Sequence, residues 1–376
     1  MFNVKLLNSI SNSVYDVLGS SYTLGEFENP DAILVRSANM HDYAIPESLL
    51  AVARAGAGVN NIPLEQMAEK GVVVFNTPGA NANAVKELVV CALLLSCRKV
   101  YEGIKWAEGL KGADDAAKQV ESGKKAFVGP EIFNKTLGII GAGAIGGLVA
   151  NAAIALGMKA VIYDPFLSDR IKAHIDQKAF YADSKEAVFE VSDFITLHLP
   201  LNDATRDTIN AEAISIMKDG VRIINCARGE LVNNDALKAA LKSGKVAKYV
   251  TDFPNGEIIG EENVIAIPHL GASTPESEDN CAVMACEELK EYLENGNIIN
   301  SVNMPSLNKQ DKGKYRLTVI AKEDEQEAVE TKAVKLKSTG SAKAVKKGYA
   351  YYIFDMDEYP DTEIVNAIPA VRKRLL

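Results

Sequence analysis

The feature that most constrains this chain is a glycine-spaced turn near its middle. Leu137-Gly138-Ile139-Ile140 is a short apolar run, and Gly141-Ala142-Gly143-Ala144-Ile145-Gly146 follows it at once, opening a helical pattern that reaches Leu156. A second apolar run, 160–163, ends in Asp164, which lies 18 residues beyond Gly146. Strand, turn, helix, strand and terminal acid, in that order, describe one β-α-β unit of a parallel sheet. Gly141 permits the tight turn, Gly143 lets a phosphate come close to the backbone, and Gly146 lets helix pack on strand. The free N–H groups at the helix start favour an anion. Asp164 is placed to accept hydrogen bonds from both hydroxyls of an adenosine ribose and to repel a 2′-phosphate. The expectation is a dinucleotide site that prefers NAD to NADP.

Around this unit, short apolar runs alternate with helical patterns up to about residue 300, as a parallel α/β sheet requires. Residues 2–7, 32–35 and 72–75 read as strands. Residues 84–97 read as a buried helix, apolar on nearly all faces, and 105–128 as a more polar crossover with exposed helix anchored by Trp106. A polar run at 308–314 reads as a linker. After it come a strand at 315–321, a weak helix, a strand at 349–356 and a helix at 362–368, with a Lys/Ala-rich patch at 332–347. With 376 residues the chain exceeds one ordinary core, so several domains are expected. The reading is two Rossmann-like α/β domains plus a small α+β tail. The substrate-binding domain covers 1–98 and 286–304, the cofactor domain 99–285, the linker 305–314 and the tail 315–376.

The net charge of −9 argues against a chain that grips nucleic acid through a basic face. No stretch has the length of a membrane span, and no secretory leader pattern opens the sequence. The five cysteines, Cys91, Cys97, Cys226, Cys281 and Cys286, show no metal-ligand spacing and read as buried, reduced thiols of a cytoplasmic protein. No metal site is expected.

Three later segments place polar residues just after apolar runs, where ligands collect in open α/β sheets. They are Leu197-His198-Leu199-Pro200, Asn225-Cys226-Ala227-Arg228-Gly229 and Pro268-His269-Leu270-Gly271. A guanidinium grips a carboxylate in a planar two-point contact, and an imidazole can take a hydroxyl proton as hydride leaves. An Arg and a His are therefore the minimum set for dehydrogenating a small anionic 2-hydroxy acid.

These segments, with Arg54-Ala55-Gly56-Ala57-Gly58-Val59, Asn76-Thr77-Pro78-Gly79 and the glycine turn, resemble the D-2-hydroxyacid dehydrogenase family over about residues 1–305. The resemblance implies Arg228 as the substrate-orienting arginine and His269 as the acid/base. It implies Asp252 as the holder of the nicotinamide carboxamide, and Arg36, Arg54, Ala57, Gly58 and Val59 as substrate contacts. Cofactor contacts are implied at Gly141, Gly143, Ala144, Ile145, Gly146, Asp164, His198, Pro200, Thr205, Cys226, Ala227, Asp252 and Gly271. Read from the residues alone, His198 is a structural or cofactor-lining histidine, His41 and His174 are surface residues, and Cys226 is a packed strand-end thiol.

The family also pairs its histidine with a Glu that fixes the tautomer. In Asp252-Phe253-Pro254-Asn255-Gly256-Glu257 the Glu keeps its distance of five from the Asp, but the following Pro is missing and the loop to His269 is short. Glu257 is the first choice for that partner, with Glu261 or Glu262 next. The tail resembles an ACT regulatory domain at 348–357 and 368–372, but Lys322-Glu323-Asp324-Glu325-Gln326 stands where a ligand-contacting Pro-Gly turn belongs, so a response to serine is not expected. The resemblance further implies a homodimer or larger homo-oligomer, with the 105–128 insert and its Ala116, Ala117 and Val120 stripe placed to reach across. The readings weighed are a phosphoglycerate-oxidising enzyme, a reductase of glyoxylate, hydroxypyruvate or another 2-keto acid, and a non-catalytic NAD-sensing co-repressor-like protein.

Overall fold

Five parallel strands open the chain: β1 (Phe2–Leu6), β2 (Tyr22–Gly25), β3 (Ala32–Val35), β4 (Ala51–Arg54) and β5 (Val73–Asn76), in the order β2-β1-β3-β4-β5. The computed structural model describes residues 1–376. They form two units, Met1–Asn81 with Pro275–Leu376, and Ala82–Thr274. In the first unit the central strands are covered on both faces, which explains why they read as unbroken apolar runs. Ala32, Leu34, Ala51, Ala53, Val73 and Phe75 face the helix Pro275–Asn295. Ile33, Val35, Val52 and Val74 face a second cluster with Met40, Leu49 and Met67. The strands at 22–25 and 51–54 are absent from the sequence expectation; each is only four residues long and lacks alternation.

The second unit holds seven parallel strands: β6 (Thr136–Ile140), β7 (Lys159–Tyr163), β8 (Phe180–Tyr181), β9 (Phe194–Leu197), β10 (Val221–Asn225), β11 (Val246–Thr251) and β12 (Val264–Ala266). Their order is β12-β11-β10-β9-β6-β7-β8. Strand order reverses between β6 and β9, and ligands of doubly wound sheets bind outside the carboxyl ends at that point. The helix Ala82–Cys97 belongs to this unit, with Val85, Val89, Ala92, Leu93 and Cys97 in its core, whereas the sequence reading gave it to the substrate domain. Periodicity identifies a helix but not the sheet it covers. Nor is that helix buried all round: Leu94 is exposed, and so is Cys91, the one exposed thiol of the five. Residues 105–128 form the end of helix Val100–Glu108, then helix Ala116–Gly123 and a 3₁₀ turn, and neither helix has a buried residue.

The tail is a four-stranded antiparallel sheet of β13 (Tyr315–Lys322), β14 (Gly340–Lys346), β15 (Tyr349–Met356) and β16 (Arg372–Leu375), ordered β14-β15-β13-β16. With helices Gln326–Ala333 and Thr362–Ala367 it makes a β-α-β-β-α-β unit of the ferredoxin-like kind. β14 comes from the Lys/Ala-rich patch and β16 from the basic ending, neither of which reads as a strand by composition.

One face of the sheet packs on its own helices through Leu317, Val319, Ala321, Ala350, Tyr352 and Phe354. The other gives Ile320, Tyr349, Tyr351 and Ile353 to the same core as Val4, Phe75 and Tyr292. The tail is therefore built into the first unit instead of hanging from it. The 305–314 run, expected as a linker, is pinned as well: Ile298 and Leu307 exchange backbone hydrogen bonds, and Arg316 donates to the carbonyls of Lys309 and Asp311.

Candidate active site

Parallel register brings the polar segments of the second unit together. Ile140 lies opposite Tyr163 and Leu197, and Thr251 lies opposite Asn225 and Ala266. The residues that follow these strands, Gly141, Asp164, His198, Cys226 to Arg228, Asp252 and 267–271, therefore line one edge of one sheet.

At the glycine turn, Gly141 has φ 90°, and a Cβ there would come 2.6 Å from the His198 carbonyl oxygen. A Cβ on Gly146 would come 2.0 Å from the Gly141 carbonyl oxygen, so only glycine allows the helix Ala144–Ala155 to start this close to β6. Around Gly143 nothing lies within 4 Å of a Cβ position, leaving the turn open for a phosphate. Asp164 accepts from the Ala142 and Phe166 amides, both at 2.8 Å, so it also fixes the turn that it flanks. Thr205 donates to the Pro200 carbonyl at 2.6 Å and closes the loop after β9. His198 contacts Thr196 Oγ1 through Nε2 at 3.1 Å. Burial pushes its pKa down to about 4, so it is neutral at physiological pH. Cys226 is buried and its thiol is pushed strongly up by burial, which makes it inert. The Ala227 amide donates to Asn225 Oδ1, and the Ala227 carbonyl accepts from Arg228 Nη1.

Asp252 is 1% exposed. Its Oδ2 accepts from the Gly271 amide at 3.2 Å, while its buried Oδ1 has no partner. Burial raises its pKa. An orphaned acceptor of this kind suits a carboxamide NH₂. The open glycine turn, Asp164 and Asp252 Oδ1 together fit NAD.

Next to Asp252, Phe253 lies 4.2 Å from the His269 ring, centroid to centroid, and 5.3 Å from the Arg228 guanidinium. The sequence reading did not single out Phe253, although its place between Asp252 and the Pro was the available signal. His269 itself is exposed. Glu257 is not brought to it: its carboxylate accepts from Asn234 Nδ2 at 2.8 Å. Glu261 and Glu262 are exposed and make no ion pair with His269.

In the first unit, β3, β4 and β5 end together at Val35, Arg54 and Asn76. Arg54 Nε donates to the Arg36 carbonyl at 3.0 Å. Asn76 Nδ2 donates to the Ala57 carbonyl at 2.6 Å, and the Gly56 amide to Thr77 Oγ1 at 2.8 Å, which shapes the backbone leading to Gly58 and Val59. Arg36 is engaged with Glu278, 2.7 Å away.

The family model described as D-isomer specific 2-hydroxyacid dehydrogenase, NAD binding domain, matches residues 98–271. A hydroxypyruvate reductase of Thermotoga maritima is 39% identical over 275 residues, covering 70% of this chain and 85% of that one. A D-3-phosphoglycerate dehydrogenase of Synechocystis is 35% identical over 286 residues, covering 74% and 49%. The solved NAD⁺-bound 3-phosphoglycerate dehydrogenase of Entamoeba histolytica superposes with a TM-score of 0.61 at 25% identity, covering 80% of this chain and 98% of that one. The chain spans about half the length of the curated phosphoglycerate dehydrogenases it matches. No helix is long and apolar enough to cross a membrane. Residues 98–271 are thus an NAD-binding domain, and the chain belongs to the D-isomer specific 2-hydroxyacid dehydrogenases.

Proposed function

We propose that the chain oxidises 3-phospho-D-glycerate to 3-phosphohydroxypyruvate, the entry to serine synthesis, with NAD as oxidant. The observation that carries the chemistry is the Arg228–Phe253–His269 cluster beside the orphaned Asp252 oxygen. Bound NAD supplies the hydride acceptor. Arg228 pairs with the substrate carboxylate, and His269 takes the C2 hydroxyl proton as that carbon becomes a carbonyl, returning it in reduction. His198, neutral and turned to Thr196, lines the cofactor pocket instead of carrying the proton. In the first unit we assign Arg54 and the backbone of Ala57, Gly58 and Val59 to the substrate; Arg36 needs to leave Glu278 to join them.

The phosphoglycerate reading is supported by curated relatives of that name at 33–35% identity and by the ferredoxin-like tail, which suits an ACT-like module. A second reading, reduction of hydroxypyruvate or glyoxylate, is favoured by the Thermotoga relative, 85% of which this chain covers. A panel of 3-phosphoglycerate, D-glycerate, hydroxypyruvate and glyoxylate with NAD or NADH separates them. The proposal expects the highest kcat/KM with the phosphorylated pair, and a higher value with an unphosphorylated acid rejects it.

For assembly we propose a homodimer in a cytoplasmic setting. Val100, Tyr101, Ile104 and Val120 are all more than 40% exposed on the two insert helices, an apolar row of the kind that marks an interface. The sequence also suggests a second contact through the edge of the tail sheet that contains Tyr349–Met356, but the charges on that sheet's edges weigh against it. The edge strands β14 and β16 carry Lys343, Lys346, Arg372, Lys373 and Arg374, which discourage strand addition.

A further inference from the structure

Within the first unit, helix Ser13–Leu18, helix Pro275–Asn295 and the loop that follows it line an open pocket of about 490 Å³, a volume suited to a small molecule. Its apolar wall is Val17, Met284 and Ile299. Glu288 lines it and is 5% exposed. Glu288 Oε1 accepts from Asn300 Nδ2 at 2.7 Å, but its buried Oε2 has no partner. Lys290 also lines the cavity and gives its ammonium to the Val17 carbonyl at 3.0 Å. Glu287 is exposed beside the cavity, and Glu291 bonds Asn295 and Asn297. Helix Ser13–Leu18 and the loop offer no charged side chain to the cavity. The lining thus holds three Glu against one Lys whose ammonium is already engaged, and a buried carboxyl oxygen left without a partner costs free energy that a donor cation would recover.

We propose that this cavity binds a small primary alkylammonium ligand, whose ammonium donates to Glu288 Oε2 while its chain lies against Val17, Met284 and Ile299. No part of the dehydrogenase reading uses these residues. Burial, helped by the charge of Glu287, pushes the empty-state Glu288 carboxyl up to about 8. The carboxyl is therefore protonated at neutral pH, and the ammonium displaces its proton. Apparent affinity follows the deprotonated fraction, so binding strengthens as pH rises towards 8 and levels off above it.

The test is titration calorimetry of the intact chain with 1,4-diaminobutane, with 1,4-butanediol as the uncharged control. The proposal expects one saturable site for the diamine, about tenfold or more tighter near pH 8.5 than near pH 6.5, and none for the diol. Glu288→Gln keeps the shape and the Asn300 contact; it should abolish the pH dependence and weaken binding about tenfold at the higher pH. Met284→Trp leaves Glu288 in place but fills the space, and should also block binding. Absence of saturable binding at either pH, equal binding of the diol, or unchanged binding in both variants overturns the proposal.

Discussion

The aromatic ring of Phe253 packs, tilted, against the imidazole of His269 at a centroid distance of 4.2 Å and an interplanar angle of 46°. Glu257, the carboxylate expected at the second nitrogen of that histidine, is engaged by Asn234, and the carboxylate that acts on the imidazole electrostatically is Asp252. Packing therefore does orienting work that a hydrogen bond does elsewhere. Aromatic contacts of this kind contribute about 0.5–1.5 kcal/mol, so Phe253→Ala should lower kcat roughly three- to tenfold, with Phe253→Tyr recovering most of it. Glu257→Gln should leave kcat/KM within about threefold. Steady-state kinetics of the three variants decide between packing and a carboxylate.

His269→Ala removes the proton acceptor and should cost about 10²–10⁴ in kcat/KM. Arg228→Ala should raise KM and lower kcat together, since its contact both binds and orients. A His269→Ala enzyme of near-normal kcat/KM would discard the mechanism.

Asp164→Ala removes a charged acceptor from the cofactor site. Hydrogen bonds to charged groups are worth about 1.5–3 kcal/mol, so kcat/KM with NAD should drop roughly ten- to a hundredfold and the preference over NADP should narrow. A parent enzyme that uses NADP as well as NAD would contradict this.

These residues were legible because chemistry at a sheet edge needs fixed types at fixed offsets. Gly141 and Gly146 are each dictated by a close approach that a Cβ would block, and Asp164 accepts from two backbone amides of the same turn region. Glu257 shows where this stops: its spacing from Asp252 suits the family, but the short loop to His269 gives it to Asn234. The tail was harder to read because β14 gains its strand conformation from pairing with β15 along its whole length, not from its own lysines and alanines.

Arg316 has no exposed surface and pairs with Asp355 at 2.7 Å, with Lys309 also on that carboxylate. Burial alone would raise the Asp355 pKa, but hydrogen bonds from Arg316 and Lys309 outweigh it and hold the carboxyl below its usual range. Removing one member of a buried pair costs about 3–5 kcal/mol, and Asp355→Ala should show that loss in urea unfolding at neutral pH. Because the folded value is depressed, the contribution is present above the usual carboxylate range and fades as pH falls through the lowered value. The difference between parent and variant should shrink in acid.

Tyr101→Glu with Ile104→Lys should convert the dimer to a monomer by light scattering. Millimolar serine should leave turnover nearly unchanged, because residues 322–326 form a strand end, a 3₁₀ turn and a helix start made of Lys, Glu, Asp and Gln. A parent chain that is already monomeric, or saturable inhibition by serine, would count against these two expectations.

The shared core of Val4, Phe75, Tyr292 and Tyr351 has a consequence for how the protein is made. Residues 1–81 leave the ribosome ahead of the middle unit, yet the rest of their own unit starts at Pro275. At about 5–20 residues per second, the opening sheet waits roughly ten to forty seconds with one apolar face uncovered. The middle unit can close on itself during that interval. Strands β1 to β5 are thus sheltered only after the middle unit that follows them, and they are the stretch on which a chaperone bound to nascent chains should be found.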